Sequence, residues 1–159
     1  MIDRLLFLLT LFSALGCGLI AGVFFAFSAF VMKALARIPP AQGIAAMQSI
    51  NVVVINPIFL GVLFGTAAGC VVLTIWSLVA WHKPSAAYLL GGGMLYLVGT
   101  ILVTIVFNVP RNNALAGVDP VSADGARLWA GYLTSWTAWN HVRTAAALAA
   151  AASLTLAIC

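Results

Sequence analysis

The residues best suited to chemistry lie in one stretch, Trp129 to Thr144, which reads WAGYLTSWTAWNHVRT. It holds three tryptophans, a tyrosine, an asparagine, a histidine and an arginine in about four helical turns. A neutral histidine can accept a proton, an arginine can stabilise an oxyanion, and tryptophans can stack on a flat ligand. Because polar groups at membrane depth cost free energy, they usually line a cavity or pair with one another. We therefore predict a binding or reaction site in the last quarter of the chain.

The angular positions of these side chains decide which of them can act together. At about 100° per residue on an α-helix, six of them fall within about 60° of one direction. The six are Trp129, Tyr132, Trp136, Trp139, Asn140 and Arg143. His141 lies roughly 140° away from Trp136 on the same helix. The spacing therefore leaves open whether His141 and Arg143 face the same cavity.

The composition indicates the solvent in which the chain folds. The chain has 159 residues, of which 64% are hydrophobic and 6% charged, and its mean hydropathy is +1.15. Soluble domains have roughly 25% charged residues, so this composition is typical of a chain that folds in lipid. The net charge of +4 comes from few residues, which suits membrane topology signals and excludes a basic nucleic-acid-binding patch.

The cysteines and histidines do not have the spacing of a metal site. Cys17, Cys70 and Cys159 are far apart, and two of them lie inside apolar runs. We interpret them as small buried hydrophobic residues rather than a disulfide or metal set. No credible glycine-rich phosphate loop occurs either, so the sequence predicts neither a metal nor a cofactor.

The apolar segments predict one domain, residues 1–159, with an all-α fold: an integral membrane four-helix bundle. The spans are predicted at about 2–35, 52–81, 86–109 and 122–158, and about 20 residues cross a bilayer. We expect a short extra helix at the membrane surface after the first span. Gly61, Gly65 and Gly69 form one stripe along the second span, which predicts close helix packing and could also join two copies of the chain.

The lengths of the helices predict where the polar residues gather. Helices close to 30 residues long either tilt or extend beyond a hydrocarbon layer that about 20 residues can cross. Counting from the end with both termini places a polar set at or beyond the opposite boundary. The set is Asn51, Asn56, Asn108, Arg111, Asn112, Trp136, Asn140 and Arg143. We predict a pocket at this polar end that opens towards the lipid interface, with Phe27 in its apolar wall.

Four segments together resemble a known family. They are GVFFAFSAFVM from Gly22, MQSINVVVINP from Met47, FNVPRNNALA from Phe107 and WTAWNHVRT from Trp136. The pattern resembles the anthrone oxygenase-like family of small four-span membrane proteins, whose bacterial members are mostly domains of unknown function. Fungal members with an assigned activity oxidise anthrones to anthraquinones with dioxygen, without metal or flavin. The resemblance covers nearly the whole chain.

The resemblance implies an oxidoreductase, a monooxygenase without cofactor, that acts on a flat, lipid-soluble aromatic substrate. The site residues that the resemblance implies are Asn112 with Leu115, and Trp136, His141 and Arg143 of the last helix. In such a reaction His141 would remove a proton and Arg143 would hold the resulting oxyanion, with Asn112 or Asn140 adding hydrogen bonds. The substrate-binding residues expected at the same end are Trp136, Trp139, Asn140, Asn108, Asn56, Asn51 and Phe27.

Other interpretations of the same residues stay open at this point. Arg143 could extend to the membrane interface or pair with Asp119 or Asp124, and the tryptophans could form an interfacial belt. The chain would then be a non-enzymatic membrane protein, either a small-molecule carrier or a structural partner. In both cases we expect a multi-pass protein of the cell membrane, in bacteria the inner membrane. Its partners would be the lipid bilayer and an apolar aromatic small molecule, not nucleic acid, and its orientation stays open.

Overall fold

The computed structural model describes residues 2–159, and over this range the chain is helical with no strand. The helices are α1 (Ile2–Ala26), α2 (Met32–Leu35), α3 (Pro40–Val53), α4 (Pro57–Val79), α5 (Ala86–Met94), α6 (Val109–Ala116) and α7 (Ala123–Leu156). Three π-helical segments, Phe27–Val31, Leu95–Leu102 and Thr104–Asn108, interrupt the α-helices. The predicted all-α bundle, with a short extra helix after the first span, is confirmed.

The π-helical segments join shorter α-helices into long ones. The first long helix, Asp3–Leu35, contains α1 and α2, and the third, Ala86–Ala116, contains α5 and α6. With α4 as the second, these three are long and apolar enough to cross a membrane, which indicates a membrane protein. The fourth, α7, has 34 residues and a polar middle, and its membrane crossing stays a prediction.

The third long helix continues past the end predicted near Val109. Pro110 lies in the first turn of α6, directly after the π-helical segment Thr104–Asn108. Proline is tolerated at a helix start because its missing N–H has no partner there. The helix nevertheless continues through Pro110, since Ala86–Ala116 is one long helix. This extension carries Asn112 into the bundle instead of leaving it in a loop.

The start of the first long helix and the end of α7 lie beside the turn between α4 and α5. The Lys83 ammonium lies 3.4 Å from the Asp3 carboxylate, which places the start of the first long helix at this turn. The Ser153 hydroxyl donates to the Tyr88 carbonyl over 2.8 Å, which places the end of α7 there too. The four long helices therefore share one end, at which the first long helix begins and α7 ends.

We call this the packed end, and small residues close it. A Cβ at Gly92 would lie 2.7 Å from Leu154 Cγ, and one at Gly93 would lie 3.0 Å from the Cys70 carbonyl oxygen. Helices that approach this closely leave no room for solvent or ligand. Fully buried core residues here are Cys17, Cys70, Leu73, Tyr96, Ala147, Ala150 and Leu154.

We call the opposite end the aromatic end, because α3 packs across it against three stacked rings of α7. Trp129 and Tyr132 have ring centroids 5.6 Å apart, and Tyr132 and Trp136 have theirs 5.9 Å apart. A Cβ at Gly43 in α3 would lie 2.9 Å from the Trp129 ring, so this glycine permits the close approach of α3. The core of this end comprises Met32, Ile44, Met47, Leu115, Trp129, Tyr132 and Trp136.

The helix α4 belongs to the packed end but diverges from its neighbours towards the aromatic end. It packs against α1 and, in the third long helix, mainly against α5. Of the predicted glycine stripe, Gly69 contacts Ser13, while Gly61 and Gly65 have open space over their Cα atoms. Within this chain the stripe therefore packs at one residue only, and pairing of two copies through it stays a prediction. The divergence leaves a gap between α4 and α7.

Candidate functional site

A cavity of about 460 Å³ lies between α4, α7 and the third long helix. Its wall includes Val52, Ile55 and Phe64, whose side chains are also exposed on the outside of the bundle. The cavity therefore opens sideways, between helices, onto an apolar surface. Its other apolar lining residues include Val23, Phe24, Phe27, Met47, Phe59, Leu63, Ile101, Ile105, Val109 and Trp136.

Six polar residues line the cavity: four neutral amides, one hydroxyl and one guanidinium. They are Gln48, Asn51, Thr104, Asn112, Asn113 and Arg143. Among the lining residues there is no carboxylate, no imidazole and no thiol. A largely apolar cavity with a few polar groups is typical of a small-molecule binding site.

Arg143 is buried, with 5% of its surface exposed, and neutral groups hold it in place. Its Nη2 donates to Asn140 Oδ1 over 2.6 Å, and its Nη1 donates to Thr104 Oγ1 over 3.2 Å. The guanidinium carbon lies 4.1 Å from the centre of the Phe24 ring and 5.2 Å from that of Trp136. Its Nε is buried and has no hydrogen-bond partner. Two hydrogen bonds and two aromatic rings thus fix the position of the guanidinium, and its Nε–H stays without a partner.

The acidic residues near the start of α7 do not reach Arg143. Asp124 pairs with Arg127, and Asp119 Oδ1 accepts from the Val121 N–H over 3.1 Å. The ion pair that the sequence left open between Arg143 and one of these aspartates is therefore absent. Arg143 also does not extend to the bundle surface, since only one-twentieth of it is exposed.

Asn140 positions Arg143 from behind the cavity wall. It is completely buried, and its Nδ2 donates to the Phe24 carbonyl and to Ser28 Oγ, each over 2.7 Å. Both acceptors lie where α1 meets the π-helical segment Phe27–Val31. Because Asn140 Oδ1 also accepts from Arg143, both ends of this amide are occupied. The predicted substrate-binding residue Asn140 does not line the cavity, and it ties Arg143 to the first long helix.

Asn112 lines the cavity with its amide held in a fixed orientation. Its Oδ1 accepts from Tyr132 Oη and from Trp136 Nε1, each over 2.8 Å. An indole N–H can only donate, so the atom facing it must be the amide oxygen. The Asn112 Nδ2 is then left as a donor on a residue that lines the cavity. Tyr132 acts here as a support for Asn112, a role that its position on the face of α7 did not reveal.

The structure brings together five of the predicted site residues. Arg143, Asn112, Trp136, Asn51 and Phe27 all line the cavity. The Phe27 and Trp136 rings have centroids 5.8 Å apart, so they form a continuous aromatic wall. The side-chain nitrogen of Asn51 is buried and has no hydrogen-bond partner. Two helices that are distant in sequence, α3 and α7, thus contribute donors to one space.

Three further predicted substrate-binding residues lie outside the cavity lining. Asn108 is buried, and its Nδ2 donates to the Trp136 carbonyl over 3.3 Å. Asn56 caps α4, since its Oδ1 accepts from the N–H groups of residues 58 and 59. Trp139 stacks on Phe107 with ring centroids 3.5 Å apart. Each of these residues contributes to the architecture, and their contact with a substrate stays a prediction.

His141 lies on a different face of α7 from Arg143. Its side chain is exposed and lines a separate groove of about 230 Å³. The other residues of this groove are Ser28, Met32, Lys33, Ala36, Leu133 and Thr137. The structure therefore does not bring His141 to the cavity. The role of a base, which the resemblance implied for His141, stays a prediction without support from this geometry.

Several lining residues carry no signal in the sequence. Phe59, Ile105 and Met47 resemble any other apolar residue of a membrane helix, so only the packing assigns them to the cavity. Thr104 does carry a signal, because Thr100, Thr104 and Asn108 recur every four residues as a polar ribbon. That ribbon faces α7, where Thr104 and Asn108 contact it.

A comparison with known protein families gives a match for this chain. A family model described as anthrone oxygenase matches residues 58–153, which is more than half of the chain. The matched segment contains Asn112, Trp136 and Arg143, and it lacks the part of the first long helix that packs against them. No curated protein and no solved structure matches the chain.

Proposed function

Because the chain belongs to the anthrone oxygenase family, we propose that it uses dioxygen to oxidise a flat, lipid-soluble aromatic ketone. The observation that carries this proposal is the cavity, an apolar space with a donor-rich polar patch around Arg143. Its volume of about 460 Å³ falls within the range of roughly 300–1,000 Å³ that small-molecule sites have. The family match supports the class of reaction, and the cavity volume supports the binding of a small substrate.

The substrate reaches the cavity from the lipid. The opening lies between α4 and the third long helix, among exposed apolar side chains such as Ile55, Phe64 and Ile105. Neither a flat aromatic ketone nor dioxygen carries a charge, and both dissolve in hydrocarbon. A lateral opening therefore supplies both reactants without passage through water. The aromatic wall of Phe27 and Trp136 holds the plane of the substrate by stacking.

The first step is the loss of a proton from the ring carbon opposite the ketone. The electron pair left behind spreads into the rings and onto the ketone oxygen, which becomes an enolate. Arg143 and the Asn112 amide N–H stabilise the charge that develops on this oxygen. Because the cavity lining contains no base, the proton passes to water at the aromatic end.

The second step joins this carbon to dioxygen. The electron-rich anion transfers one electron to dioxygen, and the two radicals combine to form a carbon–oxygen bond and a peroxide. The peroxide takes up the proton released in the first step and becomes a hydroperoxide. Loss of the second hydrogen of the same carbon as a proton then breaks the oxygen–oxygen bond and releases hydroxide, which combines with this second proton to form water. A CH₂ group and one dioxygen thus give a ketone and one water, and the substrate itself supplies all the electrons.

A carrier for the same class of ligand is the second candidate function. The observation that favours it is the lining itself, which offers binding groups and no proton acceptor. A carrier needs the lateral opening and the aromatic wall but no chemistry. The two functions therefore differ in whether a bound ligand is changed.

The test uses the purified protein in lipid nanodiscs, incubated with anthrone under dioxygen. Formation of anthraquinone is followed by absorbance, and labelled dioxygen shows whether one oxygen atom enters the product. The proposal expects a rate well above that of empty nanodiscs, and a strong decrease in Arg143→Gln. Arg127→Gln serves as the matched control, since this arginine is exposed and is not among the lining residues. A rate equal to that of empty nanodiscs, with anthrone bound, would favour the carrier.

A further inference from the structure

We propose that the groove beside His141 binds the phosphate of an anionic phospholipid at the aromatic end of the bundle. In this site the Lys33 ammonium and the His141 imidazole hold the phosphate oxygens. The groove and the cavity have no lining residue in common. The lipid site is therefore independent of the proposed function, and either of the two can fail without the other.

The groove lies on the outside of the bundle, between the first long helix and α7. Its volume of about 230 Å³ is below the roughly 300–1,000 Å³ of sites that enclose a whole small molecule, so it suits a headgroup and not an entire lipid. Each helix contributes one row of residues four apart, and such residues share a helix face. The two rows are Ser28, Met32 and Ala36, and Leu133, Thr137 and His141.

Lys33 and His141 are the titratable side chains of the groove, and both are exposed. Within residues 2–159 the ion pairs join Asp3 to Lys83 and Asp124 to Arg127, so Lys33 has no carboxylate partner. An ammonium carries three donors, and an imidazole carries at least one N–H in each of its protonation states. No carboxylate lines the groove. The groove therefore offers a positive charge and N–H donors to an anion.

Hydrogen bonds beneath the groove fix the two helices that carry these side chains. The buried Ser28 hydroxyl accepts from Asn140 Nδ2 over 2.7 Å. It donates to Thr144 Oγ1 over 3.3 Å, because the Thr144 hydroxyl itself donates to the Asn140 carbonyl. These bonds join the first long helix to α7 at the floor of the groove. Because the helices are already in place, binding of a headgroup orders only the Lys33 and His141 side chains.

The length of the first long helix places the groove at the depth of a headgroup layer. The exposed pair of Asp3 and Lys83 marks one surface of the bilayer. Lys33 follows Asp3 by about 30 residues, which is about 45 Å of helix. A bilayer with its headgroups is about 40–45 Å thick. Lys33 therefore reaches the opposite headgroup layer, where lipid phosphates lie.

The surface next to the groove favours a phospholipid over a soluble anion. Towards the packed end, the helix faces that carry the two rows continue with Phe25 on the first long helix and Leu148 on α7. Both side chains are apolar and about three-fifths exposed. An acyl chain covers this surface while its phosphate occupies the groove, whereas a soluble phosphate would contact only the polar part. A cationic groove above an apolar surface matches both parts of an anionic lipid.

The test counts lipids bound to the purified protein by native mass spectrometry in a neutral detergent. It compares phosphatidylglycerol with phosphatidylcholine of the same acyl chains, because the choline cation offsets the phosphate charge. We expect the first phosphatidylglycerol to bind about fivefold more tightly than phosphatidylcholine, and Lys33→Gln to remove this preference. Arg37→Gln is the matched control, since Arg37 is exposed one turn further on and does not line the groove. It should bind phosphatidylglycerol as the wild type does.

Two further variants separate the charge of the groove from its second donor. Lys33→Arg keeps the charge and should retain the preference for phosphatidylglycerol. His141→Leu removes the imidazole N–H and should weaken binding of phosphatidylglycerol about fivefold, on the order of one hydrogen bond. Unfolding temperatures without added lipid check that the variants fold, as expected for exposed positions.

Three outcomes would overturn the lipid site. Equal binding of phosphatidylglycerol and phosphatidylcholine would show that the groove does not recognise a net negative charge. An equal decrease in Lys33→Gln and Arg37→Gln would show general attraction to a basic surface. Displacement of phosphatidylglycerol by inorganic phosphate would show a site for a soluble anion. None of these results bears on the oxidation of anthrone, which is measured separately at the cavity.

Discussion

The packed end and the aromatic end are built by the same four long helices, yet one is closed and the other holds a cavity. At the packed end the contacts are between small residues, such as Gly92, Gly93 and Ala150. At the aromatic end the contacts are between large rings and long polar side chains, such as Trp136 and Arg143. Small residues let helix axes approach, and large ones hold them apart.

The comparison shows how a short membrane chain can combine rigidity with a binding space. The helices are fixed relative to one another at the packed end, so they can diverge at the other end without losing their arrangement. The π-helical segments contribute to the difference, since all three supply lining residues to the cavity, among them Phe27, Ile101 and Thr104. Such segments occur frequently at functional sites.

The largest expected effect comes from removing the charge at the aromatic end. Arg143→Gln should lower the anthrone oxidation rate by about 100-fold, or about 2.7 kcal/mol, because it removes the group that stabilises the developing oxyanion. Steady-state kinetics in nanodiscs measure this effect. A thermal unfolding temperature close to that of the wild type would show that the loss is chemical. A rate within twofold of the wild type would contradict the role of Arg143.

The next largest effect is expected from a substitution at the packed end, which should lower the stability of the fold and leave ligand binding unchanged. Gly92→Val should destabilise the fold by about 2 kcal/mol, since the added groups meet Leu154 at the closest helix contact. Gly18→Val is the matched control, because no atom lies within 4 Å of a Cβ there. Thermal unfolding in detergent compares the two. Equal unfolding temperatures would mean that small residues do not close this end.

A smaller effect should follow from removing one hydrogen bond that fixes Asn112. Trp136→Phe keeps an aromatic ring but removes the N–H that donates to Asn112 Oδ1. We expect the rate of anthrone oxidation to decrease about fivefold, on the order of the 1 kcal/mol of one hydrogen bond. Trp139→Phe is the control variant, because Trp139 stacks on Phe107 outside the cavity lining. An equal decrease in both variants would argue against the support of Asn112 by Trp136.

The smallest effect is expected on the opposite face of α7. His141→Ala should change the oxidation rate by less than about twofold, because its ring lies in a separate groove. The pH–rate profile of wild type and variant checks this expectation. A decrease above tenfold would show that His141 reaches the substrate in a conformation different from this one, and would restore the base implied by the family.

The family resemblance and the helical periodicity together identified part of the site from the sequence. Trp136 and Arg143 share one face at ordinary helical spacing, and both line the cavity. Asn140 shares that face too, but it lies one layer behind, because the Phe24 carbonyl and Ser28 accept its N–H groups. Periodicity gives the direction of a side chain and cannot tell which partner it meets.

The sequence by itself determined the helices and their solvent, because apolar length and composition act locally and need no knowledge of neighbours. It also determined that α7 has a polar face. The tertiary structure alone decided that α3 and α7 share a cavity, that Asn112 is fixed by Trp136 and Tyr132, and that His141 lies apart from Arg143. These outcomes depend on helix divergence and on contacts between residues far apart in the chain, which no local pattern contains.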